Sequence, residues 1–130
     1  DHICLFNCIF DFRNNLFIYS SSPYTGNRSG GALKTANWYS KYKSPGTKYK
    51  GDSKQAGSGD PGLADLEKQD YRLNFNSPLR GKAINLSEFY ESDFYGRPLP
   101  KTGNWDIGAI QYNATKPTKA LQPNRLRSHP

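Results

Sequence analysis

The densest run of apolar residues lies near the beginning of the chain, from Ile3 to Tyr19. A short polar corner, Arg13-Asn14-Asn15, interrupts it. β-branched and aromatic side chains dominate, and no apolar stripe with a period of about 3.6 residues develops, so the pattern predicts two short strands and not a helix. Near-continuous apolar character is typical of strands that are covered on both faces.

The next segment, residues 20–59, is polar and rich in Ser, Gly, Lys, Tyr and Pro. Its turn-forming residues predict a long irregular insertion. Within it, the stretch from Ala32 to Tyr39 predicts either one short helix or an irregular turn. Long loops without secondary structure are rare in compact domains and are often functional, so this insertion is a candidate binding segment.

Residues 60–112 consist of short pieces that are separated by turn signals. Apolar residues thin out after Tyr112, which predicts a basic, disordered tail at 113–130. The pattern predicts a turn and a brief strand at Asp60-Pro61-Gly62-Leu63, a strand at Tyr71-Arg72-Leu73, a turn at 93–98 and a last strand from Trp105 to Tyr112.

Composition and charge add two expectations. Only 35% of the residues are hydrophobic and Met is absent, so we expect a fragment or a processed chain whose core is completed by further residues. The net charge of +7 favours an anionic partner, which could be nucleic acid, an acidic membrane surface or an acidic polysaccharide. Lysines and arginines also serve simply to keep a surface soluble. No apolar run reaches the roughly 18 residues of a membrane span, so none is predicted.

The two cysteines, Cys4 and Cys8, are predicted to pack on a buried face. In an extended segment they lie about 13 Å apart on the same side, which is too far for a disulfide within one strand. A metal site is the alternative, but no nearby His or Cys completes a ligand set, so no metal ligand is assigned. The redox compartment stays open.

Five short motifs follow one another between Ile3 and Tyr112. They are Asn14-Asn15-Leu16-Phe17, Asp60-Pro61-Gly62-Leu63, Tyr71-Arg72-Leu73 with Ser77-Pro78, Asp93-Phe94-Tyr95-Gly96-Arg97-Pro98, and Asp106-Ile107-Gly108-Ala109 with Tyr112. In this order they resemble the C-terminal segment of extracellular right-handed parallel β-helix proteins, the pectate-lyase-like superfold. The resemblance implies an all-β fold that consists of terminal coils and a C-terminal cap, with a long irregular insertion.

The resemblance also implies a division of the chain. Residues 1–112 would be the C-terminal part of the β-helix domain, with wall strands at 1–19, the basic insertion at 20–59 and a closing segment at 60–112. The closing segment would cover the exposed edge of the last coil. The strands at 1–19 would pair with upstream coils of the same parent chain.

Some motif residues are interpreted as structural. Asn14 or Asn15 would form a ladder of side-chain amides at a corner between stacked coils. Gly96 and Gly108 suit positions that need a positive φ or a close backbone approach.

The acidic motif residues are interpreted in the same way. Asp93 would form a charge-assisted hydrogen bond with Arg97 that holds the terminal turn, and Asp106 belongs to the last motif. Nothing in the spacing of the aspartates selects a catalytic pair. His2 and His129 lie at the two ends of the chain and neither is assigned as a base.

Relatives of this superfold include polysaccharide lyases, glycoside hydrolases and non-catalytic surface or adhesion proteins, which implies a secreted or cell-surface location. Their catalytic sites lie on central coils, which this chain lacks, so catalytic residues are expected upstream and none is assigned here. No cofactor is evident in this segment, whereas Ca²⁺ would belong to a lyase parent.

The basic insertion contains the best candidate for a binding site. Aromatic faces stack on sugar rings and ammonium groups pair with carboxylates or sulfates, which favours acidic polysaccharide as the partner. The alternative is a solvated loop whose tyrosines pack on further coils, and nucleic-acid binding ranks below the glycan because no binding motif is present. The candidate substrate-binding residues are Tyr39, Lys41, Tyr42, Lys43, Lys48, Tyr49 and Lys50.

Overall fold

The computed structural model describes residues 10–23 and 32–114. These residues contain no helix, and therefore none that could cross a membrane. The predicted all-β class is confirmed. The strands are β1 (Phe10–Arg13), β2 (Leu16–Tyr19), β3 (Ala32–Thr35), β4 (Trp38–Lys41), β5 (Gly57–Ser58), β6 (Leu63–Asp65) and β7 (Asp70–Leu73).

The first five strands form parallel layers, which we call the stacked unit. β1 pairs with β3 so that Phe10 lies opposite Ala32, and β2 pairs with β4 so that Leu16 lies opposite Trp38. Both pairs therefore join positions 22 residues apart. β5 adds a third layer on the other side of β4. The chain thus repeats one strand–corner–strand path, and a third layer adds only the second strand of that path.

Each corner turns the chain with one residue in the left-handed region, Asn14 at φ 61° and Ala36 at φ 55°. The residues that follow them form a hydrogen-bonded pair. The backbone N–H and Nδ2 of Asn15 donate to Oδ1 of Asn37 at 2.9 and 3.1 Å. Asn37 is fully buried, and its Nδ2 donates to the carbonyl oxygen of Phe12 at 2.9 Å. The amides thereby satisfy backbone groups that the corner removes from the ladders.

The prediction of a helix or an irregular turn over Ala32 to Tyr39 was wrong, because this stretch forms β3 and β4. The polar side chains of this stretch do not prevent strand formation, because the backbone of each strand forms hydrogen bonds with a parallel strand of the neighbouring layer. Gly57 is required in the third layer, because a Cβ there would lie 2.3 Å from the Trp38 ring. Among the described residues, the irregular part of the insertion after β4 is therefore limited to residues 42–56.

The closing segment begins with an antiparallel hairpin of β6 and β7, which confirms the predicted strands at Leu63 and at Tyr71-Arg72-Leu73. The predicted last strand from Trp105 to Tyr112 is absent from the described part of the chain, where Trp105 forms only an isolated bridge with Ala83. The backbone there bonds to side chains instead. Asp106 accepts from the N–H groups of Gly81 and Tyr112 at 2.8 and 2.7 Å.

The core joins the closing segment to one face of the β2–β4 sheet. Trp38 packs with Leu16 on this side, whereas the alternate residues of the same strands point to the other. The closing segment therefore packs on a face of this sheet, and the expectation that residues 60–112 cover the edge of the last coil stays a prediction. The buried residues that the closing segment adds to this core are Leu73, Leu79, Ala83, Trp105 and Ile107.

One residue of the first corner bonds directly to the closing segment. Asn14 donates from Nδ2 to the carbonyl of Ile84 at 2.8 Å and accepts at Oδ1 from the N–H of Ile84 at 3.0 Å. Its own carbonyl accepts from the N–H of Gly108 at 2.9 Å. The left-handed corner thus holds the stacked unit and the closing segment together.

The predicted strand residues 3–9, including Cys4 and Cys8, and most of the predicted tail lie outside the described residues.

Candidate functional site

The basic insertion rests on a stack of aromatic rings on the inner side of the stacked unit. The Phe17 and Tyr39 rings, from β2 and β4, lie parallel with centroids 5.2 Å apart. The Tyr49 ring continues the stack 4.5 Å from that of Tyr39. Tyr39 has no exposed surface. The layer-by-layer repeat therefore places like side chains above one another, and the loop contributes the third ring.

A buried carboxylate completes this stack. The Tyr39 hydroxyl donates to Oδ2 of Asp52 at 2.6 Å, and the other carboxylate oxygen accepts the Lys54 N–H at 2.9 Å. Asp52 is only 3% exposed. The Gln55 amide donates to the carbonyls of Tyr49 and Asp52 at 2.7 and 2.8 Å. These bonds fix residues 49–55 as an ordered loop over the ring stack.

The predicted binding residues consequently separate into two groups. Tyr39 is part of the core and cannot meet a ligand, which corrects its assignment. Tyr49 is half-buried and packs on the rings of Tyr39 and Tyr19. The residues of the prediction that remain at the surface are the half-buried Lys41 and the exposed Tyr42, Lys43, Lys48 and Lys50.

The surface of this loop carries a concentrated positive charge. Between Lys34 and Lys54 the sequence has six lysines, and Asp52 is the one acidic residue. No ion pair among the described residues involves Lys48 or Lys50. Since Asp52 is buried beneath the loop, the exposed lysines give this part of the described surface a net positive charge.

Tyr49 has a raised pKa, because burial disfavours its ionised form and Tyr19 and Asp52 add repulsion. A raised pKa in the fold means that ionisation favours the unfolded chain. The stabilising contribution of neutral Tyr49 is therefore complete below pH of about 10 and is lost as the pH rises through the higher folded value. We expect Tyr49→Phe to lose less stability between pH 9 and about pH 11.5 than the unmodified chain.

This prediction is measured by urea unfolding at several alkaline pH values, with tyrosinate absorbance followed in parallel. Tyr42→Phe is the matched control, since Tyr42 is exposed and its hydroxyl bonds only to Glu67 at 3.3 Å among the described contacts. An identical alkaline loss of stability in the two variants would contradict the role of Tyr49.

A second surface feature was missed by sequence reasoning. An open groove of about 1360 Å³ runs beside β2, between Leu16 and Ile18 on one side and the closing segment on the other. Its residues come from four separate parts of the chain, so no single sequence window contains it. We call it the apolar groove, and its side chains opposite β2 include Leu66, Tyr71, Tyr90 and Phe94.

The aspartates of the closing segment have structural roles. Asp93 is buried and accepts three backbone N–H groups, from Tyr95 and Arg97 at 2.9 and 3.0 Å and from Gln111 at 3.2 Å. The structure thus bonds Asp93 to the Arg97 backbone, while the Arg97 guanidinium lies 5.5 Å from the Tyr95 ring centroid. Gly96 and Gly108 have φ of 80° and 100°, within the region that favours glycine.

Three further aspartates of this region are similarly engaged. Asp60 accepts the Gly62 N–H at 2.9 Å, Asp65 accepts the Lys68 N–H at 3.2 Å, and Asp70 forms a two-bond pair with Arg72. This pair raises the pKa of Arg72 through the side-chain hydrogen bond. Among residues 10–23 and 32–114, no three His, Cys, Asp or Glu side chains meet as a metal site.

Comparison of the whole chain with protein-family models, with curated proteins and with solved structures found no match in any of the three.

Proposed function

We propose that this chain is the terminal part of a secreted or cell-surface right-handed parallel β-helix protein that binds acidic polysaccharide, with the catalytic residues of the parent in other coils. The supporting observation is the repeated path of the stacked unit. Two strand–corner–strand layers are in parallel register 22 residues apart, with Asn15 bonded to Asn37 at the corner. Stacked layers of this kind extend naturally by adding further layers.

The free side of the stacked unit supports a longer parent. Within the described residues, β2 has a strand partner on one side only, and the apolar groove lies beside it. An unpaired edge with apolar side chains is normally covered in a native protein. A further coil would pair with β2 and cover part of this groove.

The basic loop supports an acidic polymer as the partner. Lys43, Lys48 and Lys50 are exposed on a loop that the Tyr39–Asp52 hydrogen bond holds in place. A fixed array of ammonium groups attracts a chain of regularly spaced carboxylates without paying a large ordering cost.

A second candidate is a non-catalytic surface or adhesion β-helix protein. Asp93 and Asp106 accept backbone N–H groups, which supports a structural role for this segment in either candidate. An assay of the full-length parent on uronic-acid polymers, followed through unsaturated products, separates the lyase from the adhesion candidate.

The binding proposal makes a direct prediction for the loop. We expect Lys48→Gln together with Lys50→Gln to weaken retention on immobilised polygalacturonate, so that elution occurs at a distinctly lower salt concentration. Each lost charge removes an attraction that salt screens over about 10 Å. The measurement is the salt concentration at elution.

The matched control is Lys68→Gln with Lys101→Gln, which removes the same charge from exposed positions of the closing segment. If this pair shifts elution as far as the loop pair does, net charge alone explains retention and the loop is not a site. Failure of the unmodified chain to bind polygalacturonate at low salt removes the polysaccharide proposal.

A further inference from the structure

An arginine that packs against two aromatic rings lies on the closing segment, away from the basic loop in sequence. The Arg80 guanidinium carbon is 4.0 Å from the centroid of the Tyr112 ring and 5.1 Å from that of Phe75. Its Nη1 also donates to the carbonyl of Phe75 at 2.6 Å. The two rings and the carbonyl together orient the guanidinium plane, although the residue is exposed.

Most N–H groups of the Arg80 guanidinium are available to a ligand in the part of the chain that the structure describes. The guanidinium carries five N–H groups, and the described contacts give one bond to the Phe75 carbonyl. None of the ion pairs among the described residues includes Arg80. Carboxylates match the fork of N–H groups on arginine with two parallel bonds, so this orientation prepares the side chain for an anion.

The neighbouring ring is unusually accessible. Phe75 is 71% exposed, although a phenyl ring gains free energy when it is buried. It meets the Tyr112 ring edge to face with centroids 6.1 Å apart. The rest of its surface is open to a flat apolar partner, and the less polar face of a pyranose ring is such a partner.

A shallow concavity joins these groups. It has a volume of about 550 Å³ and is lined by Phe75, Asn76, Ser77, Arg80, Gly81 and Asp106. The concavity is broad and open to solvent, so it would contact one side of a ligand. The Asp106 carboxylate accepts two backbone N–H groups and faces the same space, where it favours sugar hydroxyls and disfavours a second anion.

We propose that Phe75 and Arg80 form a subsite for one carboxylated sugar, with the guanidinium paired to the carboxylate and the phenyl ring stacked on the pyranose. The proposal rests on the polysaccharide-binding function and adds a position on the closing segment. Asp106 sets the orientation, since the carboxylate of the sugar must point towards Arg80. A uronic-acid residue therefore fits, whereas a neutral sugar leaves the arginine without its ionic partner.

The test measures binding of trigalacturonate to the full 130-residue chain by calorimetry. We expect Arg80→Gln and Phe75→Ala each to bind about tenfold more weakly, and Arg80→Lys to bind with intermediate affinity because an ammonium lacks the planar fork. Maltotriose, a neutral trisaccharide, should bind at least about tenfold more weakly than trigalacturonate to the unmodified chain.

Two controls separate the subsite from general effects. Lys82→Gln removes an equal charge from the same loop, and Phe89→Ala removes an exposed ring that has its own arginine, Arg13, at 5.6 Å. Both should change affinity by less than about twofold, as expected for changes outside the contacts. The thermal midpoint of each variant is measured, and Phe75→Ala decides the outcome if Arg80→Gln unfolds.

Several results would overturn the subsite. The first is maltotriose binding as tightly as trigalacturonate. The second is a loss of trigalacturonate affinity in Lys82→Gln as large as that in Arg80→Gln, or no loss in either Arg80→Gln or Phe75→Ala. The third is a single-stranded oligonucleotide that binds more tightly than trigalacturonate and whose binding Arg80→Gln and Phe75→Ala abolish. If polygalacturonate retention still depends on Lys48 and Lys50, the loop proposal survives that failure. If the unmodified chain binds neither the polymer nor the trisaccharide, both proposals fall.

Discussion

Replacing Asn37 with Leu is expected to lower the free energy of unfolding by about 3–5 kcal/mol, the largest effect of any single substitution considered for this chain. Asn37 is fully buried and accepts two hydrogen bonds from Asn15 while donating one to the Phe12 carbonyl. Leucine has a similar volume but leaves the Asn15 N–H and the Phe12 carbonyl without this partner. Each buried backbone group left unsatisfied costs about 1–3 kcal/mol.

The measurement is urea unfolding at neutral pH, followed by tryptophan fluorescence. A globular domain has about 5–15 kcal/mol of stability in total, so the expected loss brings the chain close to unfolding at room temperature. Asn37→Asp should be similarly harmful, because Asn37 Nδ2 lies 3.5 Å from the Asp52 carboxylate and a second carboxylate there would repel it.

Asn104→Leu is the matched control, since Asn104 is exposed and its Nδ2 makes one bond, to the Gly81 carbonyl at 3.3 Å. We expect that variant to lose no more than about 0.5 kcal/mol. A loss below about 1 kcal/mol in Asn37→Leu would mean that the corner amides contribute little and that the strand ladders and the ring stack hold the layers together.

The sequence predicted the first corner, at Asn14-Asn15, but not the second corner, at Ala36-Asn37. Asn14-Asn15-Leu16-Phe17 could be interpreted as a corner followed by a strand, because the apolar residues after it are dense. Its second copy lies in a polar stretch, where Asn37-Trp38-Tyr39 repeats the order Asn, apolar, aromatic 22 residues after Asn15-Leu16-Phe17. A search for internal repeats at this spacing could have found β3 and β4 despite their polar surroundings.

The candidate site was predictable only in part, for a different reason. Composition identifies the charge of the loop, and Lys43, Lys48 and Lys50 are indeed exposed. Composition cannot distinguish a tyrosine on the surface from Tyr39, whose burial depends on a partner carboxylate 13 residues away at Asp52. Contacts between distant segments likewise create the apolar groove and the position of Arg80 against Phe75 and Tyr112.

The predicted strand from Trp105 to Tyr112 failed because contacts with distant residues decide its structure. Trp105-Asp106-Ile107 has the alternation of a strand, and Trp105 and Ile107 are both buried. The intervening carboxylate decides the outcome, because Asp106 accepts N–H groups from Gly81 and Tyr112 that a ladder would otherwise use. Bonds from side chains to backbone groups compete with secondary structure, and the bond to Gly81 spans 25 residues, so a short pattern does not reveal it.

Asn14 is the residue whose replacement should loosen the closing segment from the stacked unit. We expect Asn14→Ala to lose about 3 kcal/mol, since it removes both bonds to Ile84 and also places a Cβ-bearing residue without a polar side chain at φ 61°. Asn14→Gly should lose about 2 kcal/mol, because glycine accepts the positive φ and only the two hydrogen bonds are removed.

Amide hydrogen exchange then shows which part of the fold loses stability in the Asn14 variants. Because Asn14 connects two parts of the fold, its replacement should speed exchange at the Trp105 N–H, which bonds to Ala83 in the closing segment, more than at the Trp38 N–H within the stacked unit.

Asn85→Ala is the matched control. The Asn85 side chain makes three bonds, from Nδ2 to the carbonyls of Pro100 and Gly103 and at Oδ1 from the Ser87 N–H, but all three lie inside the closing segment. Equal stability of Asn14→Ala and Asn14→Gly would show that the left-handed corner is not strained. Equal acceleration at Trp105 and Trp38 in Asn14→Gly would show that the two parts unfold as one cooperative unit, in which case the closing segment is integral to the stack and is not a separable cover for one of its faces.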